Sequence, residues 1–163
     1  KVPKDQLLGQ PGQGFAYLMQ ELPRERTAIA ATAIGAIRGS IDVTIAYVKE
    51  RQAFGQPISQ FQNTRFVLAQ AKIEEQATAA FYNQNVELYM QGKLDVETAA
   101  ALKSFATDMQ MKIADKLLQL FGGYGYMTEY PISRFFVDAR IQRIYGGTNE
   151  IMKEIVARSL LGR

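Results

Sequence analysis

The chain of 163 residues contains no cysteine and no histidine. Without cysteine there is no disulfide framework and no thiol nucleophile, and without histidine no His-based catalytic triad. The usual zinc donors are missing too, so no metal site is expected. Acid–base chemistry has to come from carboxylates, lysine or tyrosine, or from a cofactor. The net charge of +3 and a pI near 9.1 are mildly basic, but Lys and Arg form no patch or stripe. Nucleic-acid binding is therefore not expected. No apolar run approaches a membrane span, and the opening "KVPKDQLLGQ" has no signal-peptide h-region. β-branched alternation appears nowhere for long, which leaves little room for strands.

What is present is helical periodicity. Hydrophobic residues at 47% and charged residues at 21% suit one globular domain with a substantial core. The segment up to about Gly14 carries Pro3, Gly9, Pro11, Gly12 and Gly14 and reads as a loop. Pro23 predicts a kink or a fresh helix start. Ile34, Ile37, Ile41, Ile45 and Val48 then recur at helical spacing. Gly35 and Gly39, one turn apart, would admit a close neighbour. "FGQPIS" breaks the pattern. A second helix is expected from near Gln60 to about Gln91, with Phe66, Ala69, Ile73, Ala77 and Ala80 on its buried face and Gly92 at its end.

Asp95 should cap a third helix, with Leu102, Phe105, Met109, Ile113, Leu117 and Leu120 as its stripe and Gly122-Gly123 as its stop. Pro131 should open a short helix to about Arg140. Thr148 should cap a last one running from Asn149 to about Leu160, closed by Gly162. The expected fold is all-α, an up-and-down four-helix bundle of long antiparallel helices with short C-terminal helices.

Four stretches could carry chemistry. "RQAFGQPISQFQ" (51–62) puts an Arg, an aromatic, a Gly turn and a Gln at one junction, although an interhelical turn with a dipole-complementing cation would look the same. "QLFGGYGYMTEYP" (119–131) interleaves three glycines with aromatic rings, which suits a ligand or a rigid surface loop equally well. "RIYGGTNEI" (143–151) sets Gly146 and Gly147 before the Thr148 cap, where N–H groups at a helix N-terminus favour negative charge on a ligand. The plain alternative is a helix connector. In "LPRERTAIA" (22–30), Glu25 opens a helical stretch and by itself reads as a dipole partner on a solvated face.

Together, "RQAFGQPISQFQ", "QLFGGYGYMTEYPISRFFVDAR" and "IYGGTNEI", in this order and at these separations, resemble the C-terminal helical domain of the acyl-CoA dehydrogenases. "ELPRER" and "IYGGTNEIMKE" are most similar to the long-chain branch, with the isovaleryl type similar in layout. The resemblance implies that residues 1–12 are the tail of a preceding β-domain and residues 13–163 the C-terminal bundle. It also implies N-terminal α and middle β domains upstream, without which the isolated domain should be inactive. The implied reaction is α,β-dehydrogenation of an acyl-CoA thioester, in fatty-acid β-oxidation or branched-chain catabolism. A Glu takes the Cα proton, the Cβ hydride goes to FAD, and the electrons pass on to electron-transferring flavoprotein.

In the family the base often follows the Tyr of the last motif, as I-Y-E-G-T, and here that position is Gly146. In the long-chain and isovaleryl branches the base lies instead in an E-R dipeptide on the first long helix, which is Glu25-Arg26 in this chain. Glu25 is thus the implied catalytic base. The implied FAD contacts are Arg51, Phe54, Gln62, Gln119, Leu120, Phe121, Gly122, Gly123, Thr148, Asn149 and Glu150. Arg26, Tyr145, Gly146 and Gly147 are the implied substrate contacts. FAD shared across subunits implies a homo-oligomer, a dimer of dimers. Bacterial cytoplasm and mitochondrial matrix both fit. Three rivals are an acyl-CoA oxidase, a flavin monooxygenase on the same bundle, and a non-catalytic oligomerisation module.

Overall fold

The computed structural model of the chain describes residues 2–162. Five α-helices carry it: α1 (Gly14–Glu50), α2 (Gln62–Met90), α3 (Val96–Gln119), α4 (Pro131–Gln142) and α5 (Asn149–Leu161). Three are long and two are short, and the fold is all-α as the periodicity requires. Helix α3 is the hub, packed against each of the other four. The short α4 leans on α1 and α3, and α5 lies along α3.

Two apolar clusters hold the bundle. Ile37, Ile41, Ala71, Ile113, Leu117, Phe121 and Ile132 join α1, α2, α3 and α4 at one end. At the other end Ala30, Ala33, Leu102 and Ala106 let α1 and α3 approach closely. Each fully buried Leu or Ile in these clusters contributes about 1.5–3 kcal/mol. Gly39 serves the first cluster, because a Cβ there would sit 2.9 Å from the Phe135 ring of α4; Gly35 faces open space.

The caps follow the sequence. The Asp95 carboxylate accepts the Thr98 N–H at 2.6 Å, and the Thr148 hydroxyl accepts the Ile151 N–H at 3.3 Å. Gly162 closes α5 at φ 70°. Helix α3 stops at Gln119, and Gly122–Tyr126 form a short 3₁₀ turn beyond it.

Three expectations are corrected. First, α1 starts at Gly14 rather than after Pro23, and runs through that proline. Residues 14–21 are exposed, so water can take the carbonyl bond that Pro23 cannot make. Second, residues 52–57 form a small antiparallel hairpin, with Gln52 opposite Pro57 and Ala53 opposite Gln56. Its two-residue turn has Phe54 at φ 52° and Gly55 at φ 79°, the positive pair that tight hairpins demand.

Third, the α2 stripe of Phe66, Ala69, Ile73, Ala77 and Ala80 faces outward, and all five residues are exposed. The buried face is Thr64, Ala71, Glu75, Thr78, Ala79 and Asn85. Polar residues can occupy it because they are bonded. Glu75 pairs with Arg38 at 2.7 Å and Lys72 at 2.6 Å, Thr78 donates to Glu74 O, and the Asn85 amide donates to Phe81 O. Helix α1 also has the length and, over 18 residues, the mean hydropathy of 1.4 that a membrane span would need. Its inner face is spent on the bundle core instead.

Candidate functional site

The glycine turn between α4 and α5 lies against α1. Gly146 has φ +66° and Gly147 φ +93°, conformations that L side chains rarely adopt. A Cβ on Gly146 would fall within van der Waals overlap of Ile29 Cδ1, and one on Gly147 would sit 2.7 Å from Met152 Cε. The positive φ is the firm reason for glycine at both positions, and a side chain would in addition displace the tips of Ile29 and Met152. Ile29 is one helical turn beyond Glu25, so the two residues share a face of α1. Glu25 itself is exposed. Glu25 thus lies one turn before the residue that the glycine turn packs against.

The turn is closed by Tyr145 N–H to Ile141 O at 3.2 Å and Asn149 N–H to Arg143 O at 3.0 Å. Among the described residues, no backbone bond begins at the N–H of Gly146, Gly147 or Thr148. These groups stand at the N-terminus of α5, where the helix dipole adds partial positive charge. Such amides suit an oxygen that gains negative charge.

Beneath the turn lies a group of charges that the sequence reading missed. Lys103 is fully buried on α3 and donates to Gly147 O at 2.8 Å and to Asn149 Oδ1 at 2.9 Å. Burial lowers its ammonium to about 8; Arg26 and Arg143 push the same way, while Asp108 and Glu150 oppose them. Arg26, next to Glu25, is 4% exposed, and its Nε and Nη1 have no partner among the described residues. Burial lowers this guanidinium from its usual value while Glu25 opposes the shift; arginine stays charged regardless. Arg143 pairs with Asp108 at 2.6 Å. The one available signal was Lys103 itself, a cation set in the small-residue run "AAALKSFAT" on the inner half of α3.

Asn149 was expected to touch the cofactor. Its side chain is instead fully enclosed, donating to Thr107 Oγ1, Ser104 O and Asp108 Oδ1 and accepting from Lys103. It holds the turn to α3 and has no free face for a ligand. Glu150 is exposed in the first turn of α5, and its own backbone N–H and the Thr148 hydroxyl hold its carboxyl below the usual range. Tyr145 is 41% exposed, and burial of its phenol raises its pKa.

A second cluster forms at the opposite end of α3. Arg51, Gln119, Leu120, Phe121, Gly122, Gly123, Tyr124 and Tyr47 line an open groove of about 600 Å³. The Arg51 guanidinium lies 5.4 Å above the Tyr124 ring. Phe121 is buried, its ring stacked on Tyr47 with centroids 4.0 Å apart, and its carbonyl accepts the Tyr47 hydroxyl. Cβ positions at Gly122 and Gly123 would meet open space. Phe54, at the hairpin tip, is 96% exposed and touches Phe61 edge-on. Gln62 is exposed at the first turn of α2. Neither of these two lines the groove.

The residues expected to touch one flavin thus fall into two groups within the chain. Arg51 and residues 119–123 are at one end of α3, and Thr148 and Glu150 are beside Lys103 near the other. Helix α3 rises ~24 Å between Lys103 and Gln119.

Comparison with known proteins agrees with this architecture. The C-terminal domain model of the acyl-CoA dehydrogenases matches residues 12–161. The long-chain specific acyl-CoA dehydrogenase of Mus musculus mitochondria is 45% identical over 161 residues, 99% of this chain and 37% of that protein. Cyclohexane-1-carbonyl-CoA dehydrogenase of Geobacter metallireducens is 36% identical over 161 residues, 99% of this chain and 42% of that protein. The acyl-CoA dehydrogenase structure from Geobacillus kaustophilus superposes with a TM-score of 0.92 at 42% identity, covering 98% of this chain and 42% of that one. The chain spans about two fifths of the length of these relatives. With the helical bundle, the glycine turn against Ile29 and the Arg51 groove in place, the chain belongs to the acyl-CoA dehydrogenase family, in the region of its C-terminal domain.

Proposed function

We propose that this chain is the C-terminal part of a dehydrogenase acting on the Cα–Cβ bond of an acyl-CoA thioester, with Glu25 as the base. The observation that carries this reading is the seating of Gly146 on Ile29, one turn from Glu25. Where a carboxylate on the turn itself would collide with α1, a carboxylate on α1 is free to reach the same space.

Glu25 would accept the Cα proton. Its exposure in the chain alone leaves it room to be covered by substrate, and loss of water favours proton uptake by a carboxylate. The enolate oxygen would be met by the Gly146 N–H, with Gly147 and the α5 dipole behind it. Arg26, with two unpartnered nitrogens beside Glu25, keeps positive charge close to where negative charge develops. Tyr145 would border the acyl group.

The groove fits part of an FAD molecule. Arg51 presents the planar guanidinium that suits a diphosphate, and Gly122 and Gly123 leave the backbone open to close approach. When bound, FAD supplies the acceptor for the Cβ hydride. Phe54 and Gln62 would extend the contact from the hairpin, and Thr148 and Glu150 would contribute from the far end of α3. The ~24 Å between the two groups supports their serving different FAD molecules, so that each site takes residues from two copies of the chain. Electron-transferring flavoprotein is the proposed onward acceptor.

The test is product analysis with the full-length enzyme. Saturated acyl-CoA thioesters and an artificial electron acceptor should give the 2,3-enoyl-CoA, two hydrogens lighter by mass spectrometry. A flavin-loaded enzyme that leaves every thioester in the panel unchanged contradicts the assignment.

A further inference from the structure

We propose that Lys103 is the positioning residue of the candidate site, its ammonium clamping the Gly147 carbonyl and the Asn149 side chain so that the glycine turn is held against α1 beside Glu25. This role rests on the dehydrogenase reading given above, in which the turn faces the thioester.

The geometry has three parts. The two acceptors of Lys103 belong to residues on either side of the Thr148 cap, at 2.8 and 2.9 Å. One cation therefore fixes both the last residue of the turn and the first residue of α5. Asn149 passes the constraint on, since its amide also donates to Thr107, Ser104 and Asp108 of α3. Finally, the turn packs against Ile29, one helical turn from Glu25, so loosening it changes where Gly146 stands relative to that carboxylate.

The charge of Lys103 matters as well as its shape. Bonds from an ammonium are roughly twice as strong as those from a neutral amine. The charged groups facing it are Arg26 on α1, Asp108 on α3, Arg143 at the end of α4 and Glu150 on α5. Three cations against two carboxylates, one of these exposed, leave the floor of the turn positive. That favours negative charge on a ligand oxygen above it. Burial first, with Arg26 and Arg143 adding to it, makes the Lys103 proton easier to lose than that of a surface lysine, with a midpoint of about 8.

The experiment uses the full-length, flavin-loaded enzyme and its Lys103→Met variant. Amide hydrogen exchange, read by mass spectrometry at pH 7, should be about tenfold faster or more in the variant at the bonded amides of Ile144, Tyr145 and Asn149 within segment 144–150, with the buried stretch 110–117 unchanged. In the same variant kcat should fall by about 10–100-fold with KM and flavin content little altered. Unchanged exchange at 144–150, or a loss confined to KM, overturns the role.

Should the variant not fold, the wild type decides. Its exchange at the bonded amides of Ile144, Tyr145 and Asn149, corrected for the intrinsic pH dependence, should rise between pH 6.5 and 9.5 with a midpoint near the Lys103 value of about 8. A flat profile overturns the role. Wild-type enzyme that forms no enoyl-CoA would instead remove the dehydrogenase reading, and the exchange result would still decide whether Lys103 holds the turn.

Discussion

At the scale of single residues, Gly146 and Ile29 decide where a base can stand. A side chain on Gly146 meets Ile29, so a carboxylate there and an isoleucine on α1 compete for one space. Gly146→Ala should therefore cost about 1–3 kcal/mol through overpacking and the positive φ. It should also lower turnover on the proposed reading, since either the turn or Ile29 must shift beside Glu25. Thermal melting and steady-state kinetics on the full-length protein check both, and a neutral substitution would show that the turn is free to shift. The sequence alone made this pair of glycines conspicuous, and the family pattern supplied the role proposed for them. Lys103 and the enclosure of Asn149 were not legible. A lysine in a small-residue run has no pattern of its own, and its two acceptors lie 44 and 46 residues away.

At the scale of elements, helix limits and caps were readable because they rest on local chemistry: Asp95, Thr148, Pro131 and Gly162 all act within one turn. The facing of α2 was not, because its periodicity permits two opposite faces. Phe66 and Ile73 suggested one, but the other can be buried because Thr78 and Asn85 bond to carbonyls of α2 itself and Glu75 pairs with Lys72 and, across to α1, with Arg38. The hairpin was missed for a related reason, since two-residue strands leave no alternation to read. Glu75 is where this element can be tested. Burial alone would raise its carboxyl, but hydrogen bonds and charge from Lys72 and Arg38 outweigh that and hold it below the usual range. Its folded pKa is thus below its unfolded one. Its stabilisation is present above the unfolded carboxylate range near pH 4 and is lost as pH falls through the folded value. Glu75→Gln should destabilise by about 1–3 kcal/mol at pH 7, with the gap to wild type narrowing below pH 4. Denaturant melts of the two proteins across pH 2.5–7 check this; a gap independent of pH would mean that the charge of Glu75 is not what matters.

At the scale of the whole molecule, the exposed stripe of α2 gains a meaning it lacked as a core face. Phe66 at 64% and Ile73 at 59% exposure, with alanines between them, form an apolar face beside a groove of about 470 Å³ walled by Lys112 and Lys116 of α3. If each flavin takes residues from two copies of the chain, this face is a natural seat for a second bundle. Phe66→Asp with Ile73→Asp should then shift the full-length protein to a smaller assembly in light scattering, with loss of flavin; an unchanged mass would place the interface elsewhere. The central claim concerns the base, and anaerobic mixing of the full-length Glu25→Gln enzyme with acyl-CoA tests it most directly. The variant should retain its flavin spectrum and bind substrate, while bleaching of the flavin slows by about 10⁴-fold or more, the upper range for loss of a general base. Bleaching at the wild-type rate would contradict the assignment of Glu25.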